Sequence, residues 1–377
     1  MIPYSLISSH AELVRLCETL NSQRELAVDL EMDSLHHYQE KVCLIQISTR
    51  SDHWLIDPLT IGDLTPLAAP LGNPDIMIVM HGADYDVRSL HRDYGIEITN
   101  LFDTMIAARF LGVTEFGLAA LLKAYFSVEL DKKFQKADWS IRPLSDQMCD
   151  YAAADTAYLL GLYDLLQQKL EGVKRSDWQS EECHLVTRVR IAEKNGPLFL
   201  YCKGAGKLKG RSLAALENLL QMRDRKAREL DRPVFKVMPT ELLLELASHM
   251  PAGVDDLAAI KGMTPKLAER YGKRFIAALD EARQMPEQHL PGFPRQKKQE
   301  QSEATKDLIR ALKTWREHES SALGIDPGVL APNWLLESVA ESASCDTGFE
   351  QVSGLRQWQI NAFGDQMRQI VSGRAEC

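Results

Sequence analysis

The sequence predicts an α/β domain followed by two all-α helical domains, and three observations carry that expectation. Strand-like runs are confined to residues 1–170. Beyond them, apolar residues recur at helical spacing almost to the last residue. Two stretches of the helical part repeat each other at a nearly constant offset. The 377 residues give room for two or three domains at about 100–200 residues each.

The elements follow in order. Residues 26–30 alternate, so Val28 and Leu30 share one face of a strand while Asp29 and Glu31 share the other. Residues 42–47 (VCLIQI) and 53–57 (HWLID) predict two more strands that pair locally. Residues 76–80 (IMIVM) form a continuous apolar run, as in a strand buried on both faces. After His81-Gly82, Val87, Leu90 and Tyr94 recur with helical period, and Asp84 is expected to cap that helix. Asp103 is expected to cap the next, through Met105, Ala108 and Leu111. Residues 117–125 and 145–170 predict further helices, giving a mixed sheet flanked by helices. Glycines interleaved with lysines at 203–210 mark a basic connector, and the Pro-rich, charged stretch around 291–302 marks a linker. The expected divisions are therefore 1–170, a connector over 171–210, a first helical module over 211–290, and a second over 303–377.

The modules read as copies. VMPTELL at 237–243 resembles LAPNWLL at 330–336 at an offset of 93, and IKGM at 260–263 resembles VSGL at 352–355 at an offset of 92. In both, a proline precedes a helix and is followed by a residue that can cap it. In both, an apolar-x-Gly-apolar turn joins two helices.

Composition excludes several classes. Hydrophobic residues at 45% and charged residues at 26% exclude wholesale disorder and a fibrous chain. No window approaches the ~18 apolar residues of a membrane span, and MIPYSLISSHAELVRL lacks a basic secretory leader. Seven scattered cysteines without a C-x-x-C pair suggest neither a zinc ribbon nor a disulfide framework. A cytoplasmic protein is expected. The net charge of −9 taken alone argues against a nucleic-acid partner. Its distribution argues otherwise: residues 203–228 carry eight Lys and Arg against Glu217 and Asp224, a local balance of +6. Lys207, Lys209 and Arg211 are candidate RNA contacts there, although the segment lacks the G-x-x-x-x-G-K-[ST] spacing of a phosphate loop.

The chemistry points to an acidic cluster. Asp29 and Glu31 project together, and two neighbouring carboxylates repel unless a cation intervenes. Tyr151 and Asp155, four apart in a helical stretch, share one face behind narrow alanines. Asp86 follows the buried strand, where α/β sheets often carry functional groups. Four hard oxygen donors without His or Cys suit Mg²⁺ or Mn²⁺. Such sites hold two ions for phosphoryl displacement.

These residues resemble the DEDD superfamily of 3′-to-5′ exonucleases, in the subgroup with a tyrosine in its third motif. The matching segments are AVDLEMD at 27–33, HGADYD at 81–86 and YAAAD at 151–155, with KVCLIQIS, LFDTMIAARFLG and DWSIRPLS between them. The helical repeats are similar to HRDC domains, and the whole layout to the bacterial ribonuclease D family. The resemblance implies a ribonuclease H-like catalytic fold. It makes Asp29, Glu31, Asp86 and Asp155 the ligands of two divalent metal ions and Tyr151 the residue that orients the attacking water. It implies release of nucleoside 5′-monophosphates from RNA 3′ ends, tRNA precursors foremost; a monomer is expected. Further RNA contacts are expected at Met32 and Leu35 against the last base and His36 on the terminal sugar. Lys133, Trp139 and Arg142 are expected in a basic, aromatic entry loop. The rivals are a DNA exonuclease of the same chemistry and a non-catalytic RNA-binding scaffold.

Overall fold

The computed structural model describes residues 2–192, 195–294, 301–343 and 351–373. Cys345, Cys377 and part of the expected linker lie outside the described residues. The chain divides into two compact units. One holds residues 2–32, 42–191 and the second helical module; the other holds the first module together with residues 33–41.

The first unit is built on a six-stranded sheet in the order β1-β4-β3-β2-β5-β6. The strands are β1 (Ser5–Ile7), β2 (Glu25–Met32), β3 (Val42–Ser48), β4 (His53–Ile56), β5 (Met77–Met80) and β6 (Leu101–Asp103). β2, β3 and β4 pair antiparallel; β1 on β4, β5 on β2 and β6 on β5 are parallel, so the sheet is mixed as expected. β1 and β6 have three residues each, too few to show an alternating pattern, and the sequence did not mark them. Leu26, Val28, Leu30 and Ile78 pack on one face with helices His10–Leu20 and Asp84–Tyr94. Ala27, Val79 and Phe102 face the other way, toward helices Thr104–Phe110 and Leu159–Gly172. The single helix expected over 145–170 is two, Asp146–Ala157 and Leu159–Gly172, meeting at Tyr158.

Asp103 caps its helix as expected, accepting the Met105 N–H at 2.8 Å. It also does the work assigned to Asp84. The Gly82 and Ala83 N–H groups donate to the Asp103 carboxylate at 2.9 and 2.8 Å, while Asp84 is the first residue inside its helix and pairs with Arg88. One buried carboxylate thus ties the starts of two helices together.

The second module (helices Glu303–Leu323, Asn333–Ala343 and Gln357–Ser372) shares an apolar core with the α/β domain: Leu312, Leu336 and Val339 belong to one cluster with Phe110 and Leu166. The Trp178 and Trp358 rings stack at 4.5 Å, Phe110 meets Trp358 edge-on at 5.4 Å, and Trp358 Nε1 donates to Glu182 at 3.1 Å. Arg175 donates to the Phe110 carbonyl at 2.6 Å and the Leu323 carbonyl at 2.8 Å. Two backbones meet at Gly112, where φ is +75° and a Cβ would stand 1.9 Å from the Gly324 carbonyl oxygen.

In the second unit, helices Gly210–Glu229, Thr240–His249 and Pro265–Gln284 enclose a separate core. The loop 33–41 is clamped on this module: His37 Nδ1 lies 2.7 Å from Asp231, Tyr38 Oη donates to Asp224 at 2.7 Å, and Arg228 donates to Tyr38 Oη at 2.8 Å.

The repeat is physical. Arg223 donates to the Met238 carbonyl at 3.2 Å and Thr240 Oγ1 at 2.9 Å. Arg316 donates to the Ala331 carbonyl and Asn333 Oδ1, both at 2.8 Å. Every partner stands 93 residues from its counterpart. The pattern also corrects the expected caps: Thr240 begins its helix with Pro239 at the cap, and both Thr240 and Asn333 receive an arginine. Among the described residues, no helix is long and apolar enough to cross a membrane, and the cysteines Cys17, Cys43, Cys149, Cys183 and Cys202 are free thiols.

Gly112→Ala combines left-handed backbone strain with a clash against backbone. It is expected to destabilise the first unit by about 2 kcal/mol or more, read as a lower urea midpoint.

Candidate active site

Opposite faces of β2 do opposite jobs. Val28 and Leu30 anchor the strand in the core, which leaves Asp29 and Glu31 on the face covered by the Asp146–Ala157 helix. That helix lies close because Ala152 and Ala153 are fully buried against Cys43, Leu44 and Leu55. Tyr151 and Asp155 sit four apart on it. Asp86 enters from the first turn of the helix after β5, the strand parallel to β2.

The four acids share one electrostatic field. Burial pushes the Asp29 carboxyl up to about 7. Glu31 is pushed up to about 10 by burial and then by Asp29, Asp155 and Asp86. Asp155 rises to about 8 through burial and Asp29, and Asp86 stands well above the usual carboxylate range for the same two reasons, with Asp103 and Asp84 adding to them. No cation offsets these shifts. The Tyr151 phenol is also raised, by burial first and then by Asp155, Glu31 and Asp29. Among the described residues, no three His, Cys, Asp or Glu side chains already close into an ion cage. The acids are gathered into one field without being drawn onto one point, as mutual repulsion requires. Their donor chemistry, hard oxygens lacking any protein cation, fits a divalent ion.

Tyr151 and Asp155 line a cleft of about 400 Å³ with Lys133, Phe134 and Gln147. Lys133 Nζ donates to Gln147 Oε1 at 3.1 Å and lies 5.1 Å from the Phe134 ring, which meets Tyr151 edge-on at 5.8 Å. Lys133 is therefore at the site. Trp139 and Arg142 are corrections. Trp139 is 1% exposed and presents no face to a base. Arg142 spends its donors on Asp57 (2.6 and 2.7 Å) and on the Cys43 and Trp139 carbonyls (2.6 and 2.7 Å), locking the loop to the sheet. Met32 is half-buried and packs against the core beneath β2. Leu35 is exposed and His36 half-buried in the 33–41 loop of the other unit, as Lys207 and Lys209 are exposed on that unit. Arg211 is another correction: it donates to the Arg283 and Met285 carbonyls, both at 2.7 Å, closing the end of the Pro265–Gln284 helix.

Two residues were missed. Gln147 precedes Tyr151 by one helical turn and was findable from that spacing. Gln46 pairs opposite Asp29 in the sheet and is fully buried with both amide atoms lacking a partner. Nothing in the sequence shows that register.

Comparison with known proteins agrees with this geometry. A family model described as 3′-5′ exonuclease matches residues 4–171, and an HRDC domain model matches 212–279 and again 305–371. The crystal structure of Escherichia coli RNase D superposes with a TM-score of 0.74 at 27% identity, covering 99% of each chain. The catalytic core of RRP6 from Trypanosoma brucei is 30% identical with a TM-score of 0.64, covering 75% of this chain and 80% of that one. The chain belongs to the ribonuclease D family of 3′-to-5′ exonucleases. Exosome complex component 10 of Mus musculus is a larger relative, 35% identical over 75% of this chain and 33% of its own length. The chain thus spans about a third of the exosome relatives it matches.

An acid with a raised pKa binds its proton more tightly in the folded than in the unfolded state, so its stabilising contribution is present at low pH and lost as pH rises. In EDTA, the stability of the wild type relative to Asp29→Asn is expected to fall as pH rises from about 4 to about 7, by roughly 1 kcal/mol or more. Urea melts of both proteins across that range check it; a pH-independent difference would contradict the raised pKa.

Proposed function

We propose that the protein is a metal-dependent 3′-to-5′ exoribonuclease that trims RNA 3′ ends to nucleoside 5′-monophosphates. The observation that carries this reading is the mutual, uncompensated repulsion of Asp29, Glu31, Asp86 and Asp155 beside Tyr151, in a chain of the ribonuclease D family. These four acids would hold two divalent ions, Mg²⁺ or Mn²⁺. When bound, such ions supply an activated water and stabilise the leaving oxygen.

The chain's own residues supply position. The β2 pairing fixes Asp29 and Glu31 side by side. The Tyr151 phenol, held protonated by burial and by its acidic neighbours, is no general base; it orients the attacking water by hydrogen bonding. A water oxygen attacks the terminal phosphorus, the P–O3′ bond breaks, and the new 3′ oxygen takes a proton. Lys133, at the lip of the cleft, offers charge to the penultimate phosphate. We propose residues 1–170 as the catalytic domain, with modules over 211–290 and 303–377. The substrates we propose are RNAs with a free 3′ end, tRNA precursors foremost, acted on by a monomer in the cytoplasm.

Asp29→Asn, Asp86→Asn and Asp155→Asn are each expected to lower hydrolysis by at least about 10³-fold, with unchanged circular dichroism. Tyr151→Phe is expected to lower kcat by roughly 10²-fold while Mn²⁺ binding, read by electron paramagnetic resonance, is kept. The assay compares RNA and DNA oligonucleotides of one sequence. Preference for DNA would replace the RNA assignment, and no cleavage of either would leave the scaffold reading.

A further inference from the structure

The two helical modules use the same face differently. In the first, Arg232, Lys236, Lys266 and Arg270 line a cleft of about 160 Å³ floored by the buried Tyr271. All four cations are exposed, and no acid lines the cleft. Two neighbouring carboxylates are engaged elsewhere, Glu229 by Lys226 at 2.8 Å and Asp231 by His37 at 2.7 Å, and Glu269, beside Arg270 in sequence, does not line the cleft. Thr264 caps the 20-residue Pro265–Gln284 helix at this point, so the positive end of its dipole adds to the four charges.

The duplication gives the comparison. At the offsets of 93 and 92 residues, Arg232 and Lys236 correspond to Ile325 and Val329, and Lys266 and Arg270 to Trp358 and Ala362. The floor is kept, Tyr271 corresponding to the buried Phe363. In the second module that face is apolar, and Ile325, Val329 and Trp358 pack into the core shared with the catalytic domain. One scaffold therefore carries a protein-docking face in one copy. In the other copy the same positions hold four cations around a cleft that no acid lines. Unpaired like charges around one cleft repel, and a polyanion removes that cost.

We propose that this cleft binds the phosphodiester backbone of RNA, one phosphate seated among Lys236, Lys266 and Arg270. The site differs from the basic segment at 203–228. It rests on the exoribonuclease reading only for the identity of the polyanion. Four cations without a base-reading group make the contact sequence-independent and salt-sensitive. Phe235, between Arg232 and Lys236 in sequence and 51% exposed, offers a ring on which a base can stack.

The test is fluorescence anisotropy of the full chain with a labelled RNA hairpin carrying a single-stranded 3′ tail, in EDTA so that no hydrolysis is required. Lys266→Glu with Arg270→Glu is expected to raise Kd about 10-fold near 0.1 M salt and to make the log Kd against log salt slope shallower by about 1–2. Lys306→Glu with Arg310→Glu makes the same charge change on the second module and is expected to do much less. Arg270→Lys is expected to keep the affinity. Thermal melts verify folding, and hydrolysis of a trinucleotide with added metal is expected to keep its kcat. Equal loss in both charge-reversed proteins, or an unchanged salt slope, overturns the proposal. So does a cleft that binds inorganic phosphate by calorimetry while RNA affinity ignores the reversal. A protein that binds RNA through the cleft but cleaves nothing would refute the exoribonuclease reading and leave the cleft standing.

Discussion

Repulsion among four buried or half-buried carboxylates is the constraint around which the exonuclease domain is organised. Burial raises all four, and the Asp29 charge adds to the rise at Glu31, Asp86 and Asp155. Holding them together without a cation costs stability, so the surrounding structure must leave them little freedom to part. The central strands do this. β3 is buried along all seven residues and pins β2 from one side, while β5 pins it from the other. The Asp146–Ala157 helix can approach only because alanines face the sheet. Small residues there and large ones beneath β2 are two halves of one requirement.

The same logic of uncompensated charge separates the helical modules. Both keep the buried arginine, Arg223 or Arg316, that ties the first helix to the start of the second. A guanidinium bonded to a carbonyl and a side-chain oxygen fixes an angle between helices without specifying their outer faces. Those faces were therefore free to diverge. One became aromatic and joined the catalytic domain through Trp358; the other accumulated cations. The second module is consequently part of the core of the first unit, while the first module keeps a core of its own.

Legibility followed the range of the interactions. Asp29 with Glu31, and Tyr151 with Asp155, were readable because strand and helix periods fix which neighbours share a face. The four longer strands and the duplication were readable for the same reason. Roles set by tertiary contact were not. Asp103 took the capping work expected of Asp84, since its position on β6 depends on a three-residue strand too short to see. Trp139 and Arg142 looked like an RNA-entry loop because aromatic and basic types suit nucleic acid. The actual partners of Arg142, Asp57 and the Cys43 carbonyl, lie more than eighty residues away in sequence. Charge types alone do not distinguish a cation that is spent from one that is free.

That distinction also resolves the acidic net charge. At physiological salt, exposed charges separated by more than roughly 8 Å are largely screened, so an approaching phosphate responds to the groups beside it rather than to the total of −9. Arg142, Arg175, Arg211, Arg223 and Arg316 count toward the sum, yet each donates to protein oxygens within the fold. The four cations of the cleft on the first module count equally, and no acid lines that cleft. A chain of this composition can present a local polycation wherever its acids are committed elsewhere. Here one group of acids is committed to the buried acidic cluster, and Glu229 and Asp231 are committed beside the cleft itself. The balance relevant to RNA is thus set by hydrogen-bond partners, residue by residue.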